Sequence, residues 1–76
     1  MFKKTIMISN FESAKNFVNI TNKYMKLKIN LLIDDYIIDG HSIMGIFSLD
    51  MEKPVELVAE GDDLNDFIHD IETFTV

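Results

Sequence analysis

The chain has 76 residues, 13 acidic and 7 basic side chains and a formal net charge of -6. All the basic residues are lysines, and such an acidic chain repels the phosphates that a nucleic-acid binder has to neutralise, which excludes DNA and RNA as partners. Cysteine is absent, which excludes disulfides and thiolate metal sites and suits the reducing cytoplasm. No apolar run approaches the roughly 20 residues of a membrane span. We therefore expect a cytoplasmic protein without a membrane partner.

The first two predicted elements are a strand and a helix. Residues Lys4 to Ser9 alternate, with Ile6 and Ile8 on one face, which is the period of a half-buried strand. Apolar side chains then recur at the three- and four-residue spacing of an amphipathic helix, and Asn10 is its predicted cap. These apolar positions are Phe11, Ala14, Phe17, Val18, Tyr24 and Met25.

The rest of the chain predicts three more strands and two more helices. The strands are Lys28 to Ile33, Tyr36 to Ile38 and Pro54 to Glu60, with a turn at Asp34-Asp35 between the first two. Ser42 is the predicted cap of a short helix that runs to about Asp50. A last helix begins after Asp62-Asp63, and its apolar stripe is Leu64, Phe67, Ile68, Ile71 and Phe74. The order β-α-β-β-α-β-α predicts a single α+β domain over residues 1–76, with the helices on one face of one sheet.

One segment resembles a known family. The run from His41 to Leu49 reads His-Ser-Ile-Met-Gly-Ile-Phe-Ser-Leu and is similar to the Ser-Ile-Met-Gly-Val-Met-Ser-Leu segment of HPr proteins, the phosphocarriers of the sugar phosphotransferase system. The resemblance extends to Lys23-Tyr24, to Ile29-Asn30-Leu31 and to residues 61–74. It implies an HPr-like open-faced two-layer sandwich, with a four-stranded, mainly antiparallel sheet and three helices on one face.

The phosphate-carrying motif of that family, Gly-Ile-His-Ala-Arg-Pro-Ala, is missing here. Aligning the first helix through Ala14 places Asn10 at the histidine and Glu12 at the arginine. An asparagine amide has no nucleophilic imidazole nitrogen, and a carboxylate repels the phosphoryl group that an arginine would hold. We therefore expect no catalytic residues, and the chain is similar to the catabolite-repression HPr-like proteins, which also lack the histidine.

The resemblance assigns a regulatory role to Ser42, because the matching serine of the family is the target of a protein kinase. Capping of the short helix alone also accounts for a serine at this position, so both interpretations stay open. The resemblance further assigns Ile43, Met44 and Phe47 to the apolar surface that docks partners, and Ile46 and Leu49 to the core. The spacing agrees, because the two sets lie on different faces of a helix. We expect the docking set to be largely exposed.

Three functions follow as hypotheses. The first is a non-catalytic regulator or adaptor that binds protein partners, among them phosphotransferase-system or catabolite-control proteins and a serine kinase. The second is a phosphocarrier that uses His41 as a substitute phosphoacceptor, although His41 and His69 are both expected to be ordinary surface residues. The third is a diverged binding domain with an unrelated partner. No metal or cofactor is expected, because the clusters Asp34-Asp35 and Asp62-Asp63 lack the spacing of a calcium loop.

Overall fold

The computed structural model describes all 76 residues and contains a four-stranded sheet with three α-helices. The strands are β1 (Phe2–Ile6), β2 (Lys28–Ile33), β3 (Tyr36–Asp39) and β4 (Val55–Glu60). The helices are α1 (Phe11–Thr21), α2 (Ile43–Phe47) and α3 (Leu64–Asp70), with 3-10 turns over Asn22–Tyr24 and Glu72–Phe74. The predicted order of elements and the α+β class are confirmed.

The sheet has the strand order β1-β4-β2-β3, and every neighbouring pair of strands is antiparallel. The central strand β4 shows how the sequence produces two layers. Val55, Leu57 and Ala59 point to one face and are buried, whereas Glu56 points to the other face and is exposed. Successive side chains of a strand alternate between the two faces, so one face packs against the helices and the other faces solvent.

The core lies between the sheet and the helices and is a single cluster of 15 buried apolar side chains. Its largest fully buried members are Phe17, Phe67, Ile6, Ile29, Leu31, Ile46, Leu57 and Ile71. Every strand or helix except β3 contributes at least one buried residue, and the half-buried Ile38 of β3 packs against the cluster. The single buried polar residue, Thr21, donates its hydroxyl to the carbonyl of Val18 at 3.1 Å.

Three predicted elements end earlier than the sequence indicated, and the other strand boundaries differ by no more than two residues. The first strand ends at Ile6 instead of Ser9, because the backbone then bonds to the segment after α3, with the Met7 amide donating to the Phe74 carbonyl at 2.8 Å. Helix α1 ends at Thr21 and tightens into a 3-10 turn, which leaves Met25 exposed. Helix α2 ends at Phe47, since the bonds that follow it are of the tighter i to i+3 type.

Two residues of the β2–β3 hairpin and its exit have special backbone environments. Asp34 opens the predicted turn in the left-handed region, at φ 49°, which aspartate tolerates better than most residues. Gly40 lies at the end of β3, where its amide donates to the carbonyl of Ile29 at 2.8 Å. A Cβ at Gly40 would collide with the Cγ2 methyl of Ile29 and lie 3.0 Å from the Ile29 carbonyl oxygen, so only glycine fits there without movement.

None of the helices is both long enough and apolar enough to cross a membrane.

Candidate functional site

The start of α1 holds the two residues that the resemblance aligns with the lost phosphate site. Asn10 is extended, at φ -161° and ψ 175°, and its Oδ1 accepts a hydrogen bond from the Ser13 amide at 2.8 Å. The predicted cap is therefore confirmed. Glu12 lies exposed in the first turn of the helix, where a negative charge interacts favourably with the helix dipole. Both side chains thus have structural roles that stabilise α1.

The start of α2 repeats this capping arrangement. Ser42 is extended, and its Oγ accepts a hydrogen bond from the Gly45 amide at 3.1 Å. The residue is half-buried. Gly45 lets the helix lie close to β3, because a Cβ there would approach the Cγ2 methyl of Ile38 to 2.9 Å. Ser42 therefore has the predicted capping role, and its hydroxyl lies at the boundary between the core and solvent.

The apolar residues of α2 separate only in part into a buried set and an exposed set. Ile46 and Leu49 are buried, as predicted, at 0% and 8% exposure. Met44 is 75% exposed, also as predicted. The expectation of large exposure was wrong for Ile43 and Phe47, which are half-buried and pack against the core. A helix of this length over a small sheet leaves its flanking side chains partly covered by their neighbours.

Phe11 lies next to the apolar residues of α2, although the sequence placed it in the buried stripe of α1. Its side chain is 64% exposed, and its ring meets that of Phe47 edge to face, with centroids 5.3 Å apart and planes at 73°. Edge-to-face contacts of this kind are favourable between aromatic rings. Phe11, Ile43, Met44 and Phe47 thus form one apolar area, the α1–α2 surface, beside Asn10. Periodicity could not identify Phe11, because the first residue of a helix can extend beyond the sheet while keeping the spacing of the stripe.

His41 is not the surface residue that the sequence predicted. Its side chain is only 13% exposed, and Nδ1 lies 3.2 Å from Oδ1 of Asp39. Its other nitrogen, Nε2, lies 3.2 Å from the backbone carbonyl oxygen of Tyr24. An imidazole attacks phosphorus through a free nitrogen lone pair, and here an oxygen acceptor faces each nitrogen. The neighbouring Asp39 carboxylate also repels an incoming phosphoryl group, so this environment argues against His41 as a phosphoacceptor. His69, by contrast, is 81% exposed.

A second polar contact joins the end of the first helical region to α3. The Tyr24 hydroxyl donates to Oδ2 of Asp70 at 2.6 Å, and the Tyr24 ring packs edge to face on Phe67 with centroids 5.5 Å apart. The hydrogen bond to Asp70, desolvation and the charges of Asp70, Asp66 and Asp63 raise the pKa of Tyr24 to about 12. This hydroxyl therefore stays protonated well above neutral pH and has a structural role.

The structure brings no group of three or more His, Asp or Glu side chains into an arrangement that could hold a metal ion.

Comparison with solved structures identifies the family. The HPr protein of Thermoanaerobacter tengcongensis, crystallised as HPr-C-His, is 33% identical over 93% of this chain and 86% of its own, with a TM-score of 0.77. The chain belongs to the HPr family. No protein-family model matches the sequence, and a comparison with curated proteins gives no match either. The membership therefore rests on the structural comparison and its sequence identity.

Two other HPr-fold structures are similar to this chain. The phosphocarrier protein HPr of Bacillus anthracis strain Ames has a TM-score of 0.78 and covers 99% of this chain and 96% of its own, at 22% identity. Crh, a catabolite-repression protein of Bacillus subtilis crystallised as a domain-swapped, intertwined dimer, is 28% identical over 87% of this chain and 75% of its own, with a TM-score of 0.62. The HPr resemblance of the His41 to Leu49 segment thus extends to the whole fold.

Proposed function

We propose that this HPr-family chain is a non-catalytic regulatory or adaptor protein that docks protein partners through the α1–α2 surface, with Ser42 as a position for regulatory phosphorylation. One observation carries the proposal. The α1–α2 surface is apolar and partly exposed, and it lies beside Asn10 and Glu12, which cannot carry or hold a phosphoryl group. Binding rather than phosphate transfer is the function that this combination supports.

The chemistry at the lost site supports the absence of transfer. The Asn10 side chain is committed to the Ser13 amide, and its amide group is not a nucleophile. Glu12 adds a negative charge two residues after the cap, where the family has an arginine. The chain has no arginine elsewhere to replace the bidentate contact that a guanidinium makes with phosphate.

The shape of the α1–α2 surface supports docking. Methionine and aromatic side chains are enriched at protein interfaces, because methionine adapts its shape and aromatic rings bury a large area. Met44 and Phe11 are both largely exposed, and Phe11 is in edge-to-face contact with Phe47. A partner with an apolar centre and a basic rim fits, because Glu12 borders this surface. Phosphotransferase-system proteins, catabolite-control proteins and a serine kinase are the candidate partners.

Phosphorylation at Ser42 would act on this same surface. Ser42 directly precedes Ile43, so a phosphate there would place roughly two negative charges at the edge of the α1–α2 surface. A partner that presents lysine or arginine beside its apolar centre would then bind more tightly, and a purely apolar partner more weakly. The cap bond from the Gly45 amide is retained in this arrangement, because phosphate oxygens also accept hydrogen bonds.

The test is to treat the protein separately with the first enzyme of the phosphotransferase system plus phosphoenolpyruvate, and with an HPr serine kinase plus ATP, and to measure its mass. We expect no increase in mass in the first reaction and an increase of one phosphate group in the second. The gain should be lost in Ser42→Ala and kept in Ser48→Ala, a matched serine at the other end of α2. An acid-labile phosphate from the first enzyme that disappears in His41→Ala would establish the substitute-phosphocarrier hypothesis instead.

Docking is tested with the same candidate partners and variants of the α1–α2 surface. Immobilised wild-type protein should retain a phosphotransferase-system or catabolite-control partner, and Met44→Glu should abolish that retention without unfolding the domain. Asn16→Glu, at an exposed position of α1 away from Phe11, makes the same change of one charge and should leave binding intact. Binding that is unaffected by Met44→Glu would favour the third hypothesis, a diverged binding domain with an unrelated partner and surface.

A further inference from the structure

Strand β3 forms one edge of the sheet and has backbone groups that no other strand uses. It pairs only with β2. Along an antiparallel pair of strands, residue pairs that exchange backbone hydrogen bonds alternate with pairs that do not. The Gly40 amide donates to the Ile29 carbonyl of β2. In the register of β3 with β2, Ile38 and Tyr36 therefore also bond to β2. Ile37, between them, therefore directs both its N–H and its C=O away from the sheet. An unpaired edge of this kind is a template for a further strand.

Two of the three exposed side chains of this edge strand are apolar, and the third is Asp39. Tyr36 is 71% exposed and Ile37 is 72% exposed. Natural edge strands are usually protected from pairing by shortness, by charged side chains, above all lysine, or by proline, a bulge or a covering loop; β3 is short, and its one charged residue, Asp39, is acidic. The sequence of β3, Tyr-Ile-Ile-Asp, contains neither lysine nor proline, and its register with β2 runs without a bulge. The edge is therefore open to an added strand whose charge suits Asp39.

A groove beside β3 would receive the side chains of such a strand. It runs between β3 and the end of α2, and its apolar walls are Ile33, Tyr36, Ile38 and Leu49. Asp34 and Asp50 also line it. Because strand side chains alternate in direction, every second residue of an added strand would point towards this groove, and the others would lie beside Ile37 on the open face of the sheet.

The acidic side chains near this edge favour a basic binding partner. No lysine occurs between Lys28 and Lys53, whereas the hairpin turn alone contains Asp34 and Asp35. Neither of these two carboxylates is in an ion pair, while the Asp39 carboxylate lies near His41 and the Asp50 carboxylate near Lys53. A second copy of the chain would bring the same carboxylates and a net charge of -6, which opposes pairing between copies.

We propose that the β3 edge binds an extended, basic peptide segment of a partner protein as a fifth strand of the sheet. Main-chain hydrogen bonds to Ile37 supply the pairing, apolar side chains occupy the groove, and lysine or arginine side chains lie against Asp34 and Asp35. This is strand addition, in which backbone bonds give affinity and side-chain pockets give specificity. It uses a different part of the molecule from the α1–α2 surface and does not depend on the function proposed above.

The probe is a synthetic peptide that alternates valine and lysine, added to the full-length, nitrogen-15-labelled protein. We expect chemical-shift changes along β3 and slower hydrogen exchange of the Ile37 amide, with little change at Phe11 or Phe47. The same peptide with glutamate in place of lysine should not bind. Equal binding of the acidic peptide, shifts centred on the α1–α2 surface, or concentration-dependent changes at β3 without peptide would each overturn the proposal.

Two variants separate the backbone contribution from the charge. Replacing Asp34 and Asp35 together by asparagine, which tolerates the left-handed turn, should weaken peptide binding by about three- to tenfold, since each exposed charge pair contributes modestly. Ile37→Pro removes the outward N–H without removing a bond to β2, and it should abolish binding while Ile37→Val retains it. Binding that survives the double asparagine change at full strength contradicts the proposal even if Ile37→Pro fails to fold.

Discussion

The phenol of Tyr24 donates a 2.6 Å hydrogen bond to Asp70, a residue 46 positions later in the chain. This bond fastens the turn after α1 to the last turn of α3, on the side of the core where Tyr24 also packs on Phe67. Only the neutral phenol can make it, because a phenolate that faces a carboxylate has no proton to donate and is repelled. The contact therefore links the stability of the fold to pH.

The first prediction concerns this pH dependence. The folded pKa of Tyr24 is raised from 10.0 to about 12, so the unfolded chain ionises at lower pH than the folded chain. The contribution of Tyr24 to the free energy of unfolding is fully present below the pKa of the unfolded chain, and it is lost as the pH rises towards the pKa of the folded chain. Urea unfolding should show that wild-type protein loses more stability over this range than Tyr24→Phe does. Parallel curves for the two proteins would contradict the assignment.

The second prediction concerns Gly40. The methyl group of Gly40→Ala would collide with the Cγ2 methyl of Ile29, and such overpacking destabilises by about 1 to 3 kcal/mol. Replacing Ile29 by leucine removes the Cγ2 branch, so the cost of Gly40→Ala should be smaller in an Ile29→Leu background. Thermal unfolding of the two single variants and the double variant measures this coupling. An alanine with the same cost in both backgrounds would exclude the collision as the cause.

The third prediction orders three alanine variants of the α2 region by stability. Leu49→Ala should cost about 2 to 5 kcal/mol as a core truncation, and Met44→Ala less than about 0.5 kcal/mol as an exposed change. Phe47→Ala should fall between them, because its half-buried ring loses its contact with Phe11. Chemical denaturation gives all three values. If Phe47→Ala is as costly as Leu49→Ala, Phe47 belongs to the core and the docking proposal loses an anchor.

The fourth prediction concerns Asn10. Asn10→Ala should destabilise the protein by about 1 kcal/mol through loss of the helix cap, whereas Asn10→Ser should keep most of the stability. Asn10→His should not restore phosphate transfer, because Glu12 occupies the arginine position. Stability is measured by thermal unfolding, and transfer by mass gain with the first enzyme of the phosphotransferase system. Efficient transfer by the single histidine variant would show that the rest of the site is intact.

The sequence predicted those features that depend on neighbours in the chain. The alternation of Val55, Leu57 and Ala59 identified both β4 and its buried face, and Asn10 and Ser42 were recognisable as caps because capping is a local interaction. Features that depend on distant segments were missed. The burial of His41 against the Tyr24 carbonyl is one example, because 17 positions separate the two residues and only the folded arrangement brings them together.

The exposure of Phe11 shows a second limit of sequence reasoning. Its spacing to Ala14 fits the buried stripe of α1, yet Ala14 is fully buried and Phe11 is 64% exposed. Periodicity gives the direction of a side chain around the helix axis but not whether the sheet extends far enough to cover it. The most exposed aromatic ring of the α1–α2 surface was therefore visible only once the packing of α1 and α2 was known.

The cap at Asn10 also has a consequence for the stability of the domain. Asparagine is among the best residues for a helix cap, whereas histidine is not one of the preferred types. Function and stability place different demands on a position, so a residue that serves structure alone can be the more stabilising choice. Because the Oδ1 of Asn10 accepts a hydrogen bond from the Ser13 amide, a substitution that gives this position a reactive imidazole also removes the cap of α1 and lowers the stability of the domain.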